Sequence, residues 1–409
     1  MDQELIKYFL LGVVSLSFIF EKSVNFLNAT RKTGRIPATL DQYLEEGKLQ
    51  ESKRYQQTNY YFGLISGSFT FVITLLFIGF GFFGWLDEWL RQFGFAPLAL
   101  SVVYFGVLFI GSDLLSLPFD YYHTFKIEAD YGFNNSTVRT FFADKIKGYL
   151  LSIPVGGGLL LVLLWLILEI GSDFWWIFWM ISALFIVLVN QFYSGLILPL
   201  FNKLTPLEAG ELKHTILGYA QSVGFSLENV FIMDGSKRST KANAFFSGFG
   251  KRKKVVLYDT LLEQHTPDEV VAVLAHEIGH YKKGHITLGV MTGILQTGII
   301  LYILSLFVFN KQISLALGGD QLSIHLNIIG FTMLFSPISL ILGMVTNYFS
   351  RKHEFEADAF AKSTYSGKPL AEALKTLSVK NLSDINPHPL YVFVNYSHPP
   401  LLSRLKRLE

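Results

Sequence analysis

The sequence predicts a mainly α-helical integral membrane protein of seven spans that carries a small α/β domain on one membrane face. Three observations predict it. Of the 409 residues, 51% are hydrophobic and 15% aromatic, and the mean hydropathy is positive, which is too apolar for an ordinary soluble domain. Seven nearly uncharged apolar runs are spaced along the chain, most of them long enough to cross a hydrocarbon core of about 30 Å. Between them, basic residues crowd into alternate loops, as in a chain threaded back and forth through a bilayer. Cysteine is absent, so disulfides, thiolate metal sites and cysteine catalysis are excluded and any metal work falls to histidines and carboxylates. A formal net charge of +2, with its basic residues dispersed among loops, points to no nucleic-acid partner.

The first run, residues 8–20, is short for a span, but Lys7 and Lys22 can snorkel and extend it. A cleaved signal peptide is the competing reading. The leading MDQELIK holds two acids to one lysine and no A-x-A-like site follows, so the run reads as an anchor. Runs at 61–86, 93–112, 149–168 and 174–200 complete an N-terminal membrane region over residues 1–200. A soluble part covers 201–285, two further spans lie at 286–309 and 326–350, and residues 351–409 return to the soluble domain. Lys22, Arg31, Lys32, Arg35, Lys48, Lys53 and Arg54 follow the first span, and Lys126, Arg139, Lys145 and Lys147 follow the third. The loops after the second, fourth and sixth spans hold only Arg91, no basic residue and Lys311. The positive-inside rule then puts the N-terminus outside and the soluble part and C-terminus on the cytoplasmic side. Asp113, Asn190, Gln191, Gln296 and Asn327 would be costly against lipid, so they face a cavity or bond to one another within the bundle. Pro154, Gly156, Gly157, Gly158 and Pro337 suggest spans bent around a space.

In the soluble part a helix is expected over 206–223, ending at Gly224, followed by strands at 230–234 and 254–258 with AFFSGFG between them. Thr266, Pro267 and Glu269 then read as N-cap, N1 and N3 of a capping box, and Val270, Val271, Val273, Leu274 and Ile278 supply a face to bury. That helix contains HEIGH. His276 and His280, four residues apart, project from one face about 6 Å apart at their stems, as two ligands of a single zinc require. Glu277 lies beside the metal, where a general base takes a proton from water whose pKa the ion brings to about 7. A chance H-E-x-x-H on an amphipathic helix is the alternative. For the third ligand, residues 347–363 offer Glu354, Glu356 and Asp358 on a second helix. Glu354 and Asp358 share a face while Glu356 points about 200° away from Glu354. Glu354 is therefore the expected ligand, and Asp358 the carboxylate that orients a ligand histidine through its other ring nitrogen; a solvated acidic face is the alternative. Both stretches fall on the cytoplasmic side, and between them the chain crosses and returns, so the zinc sits at or within the membrane surface. His285, about 140° round the helix from His280, reads as structural.

HEIGH, the EFEAD stretch at 354–358, SKRSTKANAFFSGFGKRKKVVLYDTLL at 236–262, FKIEADYGFNNSTVRTFFADKIKG at 125–148 and the terminal NYSHPPLLSRLKRL occur in one order. In this the chain resembles the type I CAAX prenyl protease family of integral-membrane zinc metallopeptidases, departing from it only in being compact after His285. The resemblance implies a chamber enclosed by seven spans and capped by the zinc domain, with one Zn(2+) per chain. It also implies that Asn243, on the strand edge 243–246, grips the substrate backbone and that His398 stabilises an oxyanion. From the residues alone, Asn243 also reads as a turn asparagine and His398 as a cap for a helix over 401–408; His388 is a candidate the family pattern does not support. The expected function is a membrane-embedded zinc metalloendopeptidase cutting near the C-terminus of prenylated or membrane-associated substrates, its partners being peptides or proteins and the lipid bilayer. One alternative is quality control of damaged or unassembled membrane proteins. Another is a non-catalytic scaffold or channel with structural zinc, against which Glu277 argues. Compactness and the lack of cysteine favour a bacterial inner membrane, with the endoplasmic reticulum the place if the source is eukaryotic. Because the chain has no cysteine, single cysteines can report its threading in sealed vesicles: a site near Ser52 should label only from the cytoplasmic side and one near Asp320 only from outside.

Overall fold

The computed structural model describes residues 2–31, 47–227, 229–247 and 254–408; Lys32 and Arg35 of the first basic loop and residues 248–250 of AFFSGFG lie outside these. Helix α1 (Gln3–Ala29) has 27 residues, about 40 Å at 1.5 Å per residue, so the short first run is the middle of a full span. The second run is divided. Helix α2 (Lys48–Gly79) stops before Gly81, whose φ of +67° a side chain would resist, and residues 82–86 begin a separate amphipathic helix, α3 (Phe82–Arg91). Helix α4 (Pro97–Tyr122) runs on through a π-helical turn at His123–Glu128, well past the end expected at 112. Residues 138–201 then form one 64-residue helical stretch. It comprises α5 (Val138–Ser152), a π-helical turn at Ile153–Gly157 holding Pro154, α6 (Gly158–Ile170), α7 (Phe174–Phe192), a second such turn at Tyr193–Ile197, and α8 (Leu198–Phe201). Gly171, at φ +75°, turns the chain back between α6 and α7, and Leu164 and Ile167 pack with Phe174 and Phe178 across the turn. Among the described residues six helical stretches are long and apolar enough to cross a membrane, and the reversal makes the fourth of them two spans.

The soluble domain starts with a strand that the sequence reading missed. Leu204–Pro206 forms β1, where a proline is tolerated because the strand is an edge, and α9 begins only at Glu211 (Glu211–Ser222). Strands β2 (Asn229–Met233), β3 (Ala244–Ser247) and β4 (Lys254–Tyr258) complete a sheet of order β1-β2-β4-β3. Only β2 and β4 are parallel. Helices α10 (Asp259–Gln264) and α11 (Pro267–Lys282) follow, then the spans α12 (His285–Phe307) and α14 (Ile324–Thr364), joined through α13 (Lys311–Ala316). At 41 residues α14 is about 62 Å long, enough to cross the bilayer and still project about 30 Å into the soluble domain. There it packs with α11, α15 (Gly367–Lys380), α16 (Pro389–Asn395) and α17 (Leu401–Leu408). Val255, Leu257, Leu261, Leu274 and Ile278 are fully buried in the core between sheet and helices.

The spans close a ring. Helix α1 packs on α2 and α14, α14 on α12, α12 on α7, α7 on α6 and α6 on α4, and Phe119 of α4 meets Phe62 and Phe69 of α2. Of the 32 residues of α2 only Ser52, Tyr55 and Ile78 are buried, so its middle faces lipid on one side and open space on the other. That space includes a cavity of about 1160 Å³ lined by α2, α3 and α4. Within the spans, Asn327 is fully buried and bonds to Ser314 and to the Val308 and Asn310 carbonyls, and Asp113 accepts from Lys145 and Tyr149. Asn190 donates only to the Ile186 carbonyl of its own helix.

Helices α3 and α13 floor the chamber at the end away from the soluble domain. Asp87, buried there, accepts from His325 Nε2 at 2.9 Å, Ser323 Oγ at 2.7 Å and Arg91 Nε at 3.0 Å. Gly84 N–H donates to the Leu317 carbonyl at 3.0 Å, and a Cβ on Gly84 would fall 1.9 Å from the Gly318 carbonyl carbon. Gly84→Ala must therefore separate α3 from the 317–319 turn; thermal unfolding in detergent should register a loss of about 1–3 kcal/mol or more, the scale of overpacking.

Candidate active site

Helix α11 starts as its sequence demands. Glu269 N–H donates to Thr266 Oγ1 and Thr266 N–H to Glu269 Oε2, with Pro267 at the first position, so the capping box is complete. The helix is buried on most sides, and Gly279 is the reason it meets α14 so closely. A Cβ there would stand 3.1 Å from Ala357 Cα and 3.2 Å from the Ala357 carbonyl oxygen and from Phe360 Cβ. This crossing sets HEIGH against EFEAD. His276 Nε2 and His280 Nε2 lie 3.1 Å apart, and the Glu354 oxygens lie 3.4 Å from the first and 3.2 Å from the second.

These three residues bring ligand atoms within 4.8 Å of one another. Ligands held at about 2.0–2.1 Å in a tetrahedron stand about 3.3 Å apart, so the spacing fits a zinc-sized ion. Glu354 Oε2 gives a second sign. It is buried and accepts no hydrogen bond of good geometry, although His276 and Arg404 flank it. Burial pulls the His276 imidazolium down, but the Asp358 and Glu354 carboxylates outweigh it and raise its pKa to about 9. A field that would hold a proton there also suits a divalent cation, whose binding displaces that proton.

The carboxylates of EFEAD divide as their helical spacing predicts. Asp358 Oδ1 accepts from His276 Nδ1 at 2.9 Å, on the ring edge away from Glu354, while Glu356 sits apart, 3.1 Å from His285 Nε2. Glu277, half-buried, faces a cavity of about 780 Å³ that also takes in Asn243, Phe245, Tyr396 and His398. Desolvation raises its carboxyl pKa against the opposing pull of His276 and His280.

Asn243 precedes β3, the outer strand of the sheet, so an edge of that strand is open to the cavity among the described residues. Its carbonyl accepts from Tyr258 N–H at 3.1 Å and its side chain from Ala244 N–H at 2.9 Å. Two of the sequence motifs jointly hold it. Asn135 N–H donates to the Arg238 carbonyl, Thr240 N–H to the Phe133 carbonyl, Arg238 pairs with Asp144 at 2.7 Å, and Lys241 reaches Glu128 at 2.7 Å across the Phe133 ring. Residues 128–144 of the first motif and 238–241 of the second are thus the two sides of one clamp. His398 comes from the opposite wall. Arg351 donates to the Val392 and Tyr396 carbonyls and fixes the segment before it, and His398 Nε2 stands 3.3 Å from Glu354 Oε1. His388, by contrast, caps α16 through Leu390 N–H and stays outside the site.

Two residues beside the site were given no part in it by the sequence reading, Arg404 passing unremarked and His285 being read as structural. Arg404 donates through Nε and Nη2 to both oxygens of Asp358, at 2.9 and 2.6 Å, and its Nη1 lies 3.3 Å from Glu354 Oε2. The signal was present: Leu401, Arg404, Leu405 and Leu408 share the buried face of α17, and a cation on an apolar face needs an anion beneath it. His285 is the other. The wheel that put it about 140° off the ligand face assumed a continuous helix. Helix α11 ends at Lys282, Gly284 adopts φ +74°, and His285 turns back to bring its Nδ1 3.1 Å from His280 Nδ1. Removing Arg404 strips two buried carboxylates of their guanidinium partner and leaves them only the imidazoles, so Arg404→Ala should cost about 3–5 kcal/mol in thermal unfolding, with Lys unable to restore the two-pronged bond.

Comparison with known proteins agrees with this architecture. Residues 25–203 match the family described as CAAX prenyl protease N-terminal, five membrane helices, and residues 206–409 match peptidase family M48. The chain is 31% identical to CAAX prenyl protease 1 of Saccharomyces cerevisiae, over 98% of this chain and 95% of that one. It is 32% identical to the Arabidopsis thaliana homolog (97% and 96%) and 31% identical to the human one (93% and 90%). The crystal structure of S. mikatae Ste24p superposes with a TM-score of 0.93, at 31% identity and 99% coverage of both chains. These relatives are eukaryotic and lend nothing to a bacterial location. With a membrane region and a peptidase domain matched in one order and a likeness running nearly end to end, this multi-pass membrane protease belongs to the CAAX prenyl protease family.

Proposed function

We propose that the chain is a zinc-dependent endopeptidase that cuts near the C-terminus of prenylated, membrane-associated peptides, with its site on the cytoplasmic face. The observation that carries this is the convergence of His276, His280 and Glu354 beside Glu277 and an open strand edge. When bound there, zinc would polarise a substrate carbonyl and make water acidic enough to deprotonate near neutral pH. Glu277 takes that proton and later delivers it to the leaving amine; its raised affinity for protons suits both halves of the task. Asn243 and the edge of β3 hold the substrate extended, as an added strand would be held. His398 reaches over from the opposite wall and donates to the oxygen on which charge develops. Asp358, gripped by Arg404, keeps the His276 proton on Nδ1 and so frees Nε2 for the metal.

Relatives named CAAX prenyl protease 1 support the substrate class. So does the apolar chamber below the site, a place where a greasy tail escapes water. The basic loops after the odd-numbered spans support the cytoplasmic orientation.

Glu277→Gln retains size but not basicity. Zinc content and thermal stability should stay near wild type while hydrolysis of a farnesylated C-terminal peptide falls by about 10²-fold or more. Ala at His276, His280 or Glu354 should abolish zinc binding. An unmodified extended peptide run in parallel tests whether the prenyl group is needed. Unchanged turnover by Glu277→Gln with zinc bound would defeat the mechanism.

A further inference from the structure

The two histidines of HEIGH are supported differently, and the difference identifies two more participants. His276 Nδ1 meets a buried carboxylate, Asp358, at 2.9 Å. His280 Nδ1 meets another imidazole: His285 Nδ1 lies 3.1 Å away, and His285 Nε2 lies 3.1 Å from Glu356 Oε2. His285 is buried, with its ring stacked on His353 at 4.1 Å and 9° between planes, so its orientation is set by packing as well as by hydrogen bonds.

Proton counting makes this chain directional. For His280 Nε2 to offer a lone pair to a cation, the proton of a neutral ring must be on Nδ1. Two Nδ1 atoms in contact cannot both donate, so His285 Nδ1 must be the acceptor. Its own proton is then on Nε2, facing the Glu356 carboxylate. Each donor has an acceptor, and the chain ends on an anion. The reverse arrangement would protonate His280 Nε2 and close it to a metal.

We propose that His285 and Glu356 are positioning residues for the metal site, a relay that fixes the tautomer and ring orientation of His280 as Asp358 does for His276. The inference rests on the metal reading above. It also gives Glu356 a purpose: the acid on the far side of α14 from Glu354 serves the outer edge of the second histidine. The break at Gly284 acquires one too, since an uninterrupted helix would carry His285 away from His280.

The test is zinc affinity of the purified full-length protein, measured by competition with a chromophoric chelator, alongside thermal unfolding of the metal-stripped form. His285→Phe keeps a planar ring against His353 and deletes the acceptor, whereas His285→Asn puts Oδ1 where Nδ1 stood. The relay predicts that Phe weakens zinc binding by about 10- to 100-fold, the usual cost of losing such a partner, while Asn restores most of it. Glu356→Ala should weaken binding less, by roughly 3- to 10-fold, still reaching one zinc per chain at saturation, with Glu356→Gln between it and wild type. Metal-stripped melting temperatures should stay together across the series. The relay is overturned if His285→Phe binds zinc as wild type does, if Asn is as weak as Phe, or if the Phe variant melts early without metal. Failure of wild type to bind zinc at all would instead bring down the metal reading.

Discussion

The site depends on one close contact, the crossing of α11 over α14 at Gly279 and Ala357. Two helices approach this closely only when one of them has no side chain at the crossing point, and Gly279 meets that condition in the middle of HEIGH. The geometry of the three converging side chains follows from it. His276 and His280 flank the crossing on α11, and Glu354 lies one turn before Ala357 on α14, so the interaxial distance decides whether the ligand atoms converge. An added methyl would open that distance by a few tenths of an ångström, a large error for atoms that must all lie about 2 Å from one ion.

Close packing concentrates charge. Within a few ångströms the site buries Glu354, Asp358, Arg404 and two imidazoles, an arrangement unfavourable in an apolar medium unless each group is paired. The pairing is nearly complete without a cation: Arg404 forks onto Asp358, Asp358 accepts from His276, and His285 supports His280. Glu354 Oε2 is the exception, buried without a hydrogen bond 3.4 Å from His276 Nε2. The same polar framework holds the rings rigid.

The long α14 joins this site to the membrane architecture. One continuous helix begins in the polar floor of the chamber, where His325 bonds to Asp87, and ends beside the peptidase core. The ring of spans encloses open space because α2 packs along α1 but meets α4 largely through the rings of Phe62, Phe69 and Phe119. Floor, wall and ligand helix are therefore mechanically one piece. On the function proposed above, a substrate at the β3 edge would lie above an apolar enclosure rather than against a bilayer surface.

Local chemistry was legible in the sequence because it repeats at fixed spacing. The capping box of α11, the shared face of His276 and His280, the division of Glu354 and Asp358 from Glu356 and the seven apolar runs all follow from helical periodicity and length. Places where the backbone breaks its period were not legible in advance. Gly81 splits the second run, Pro206 ends a strand where a helix was expected, and Gly284 swings His285 onto His280; each depends on dihedrals that neighbouring elements select. Arg404 was hidden for a different reason: its partner Asp358 is 46 residues away, and only packing of α17 on α14 shows which anion its charge answers. Sequence by itself determined which residue types stood ready for metal chemistry and on which helices, since that needs only a 3.6-residue period. Tertiary structure decided which of them meet, because sub-ångström convergence is set by how closely two helices can pack.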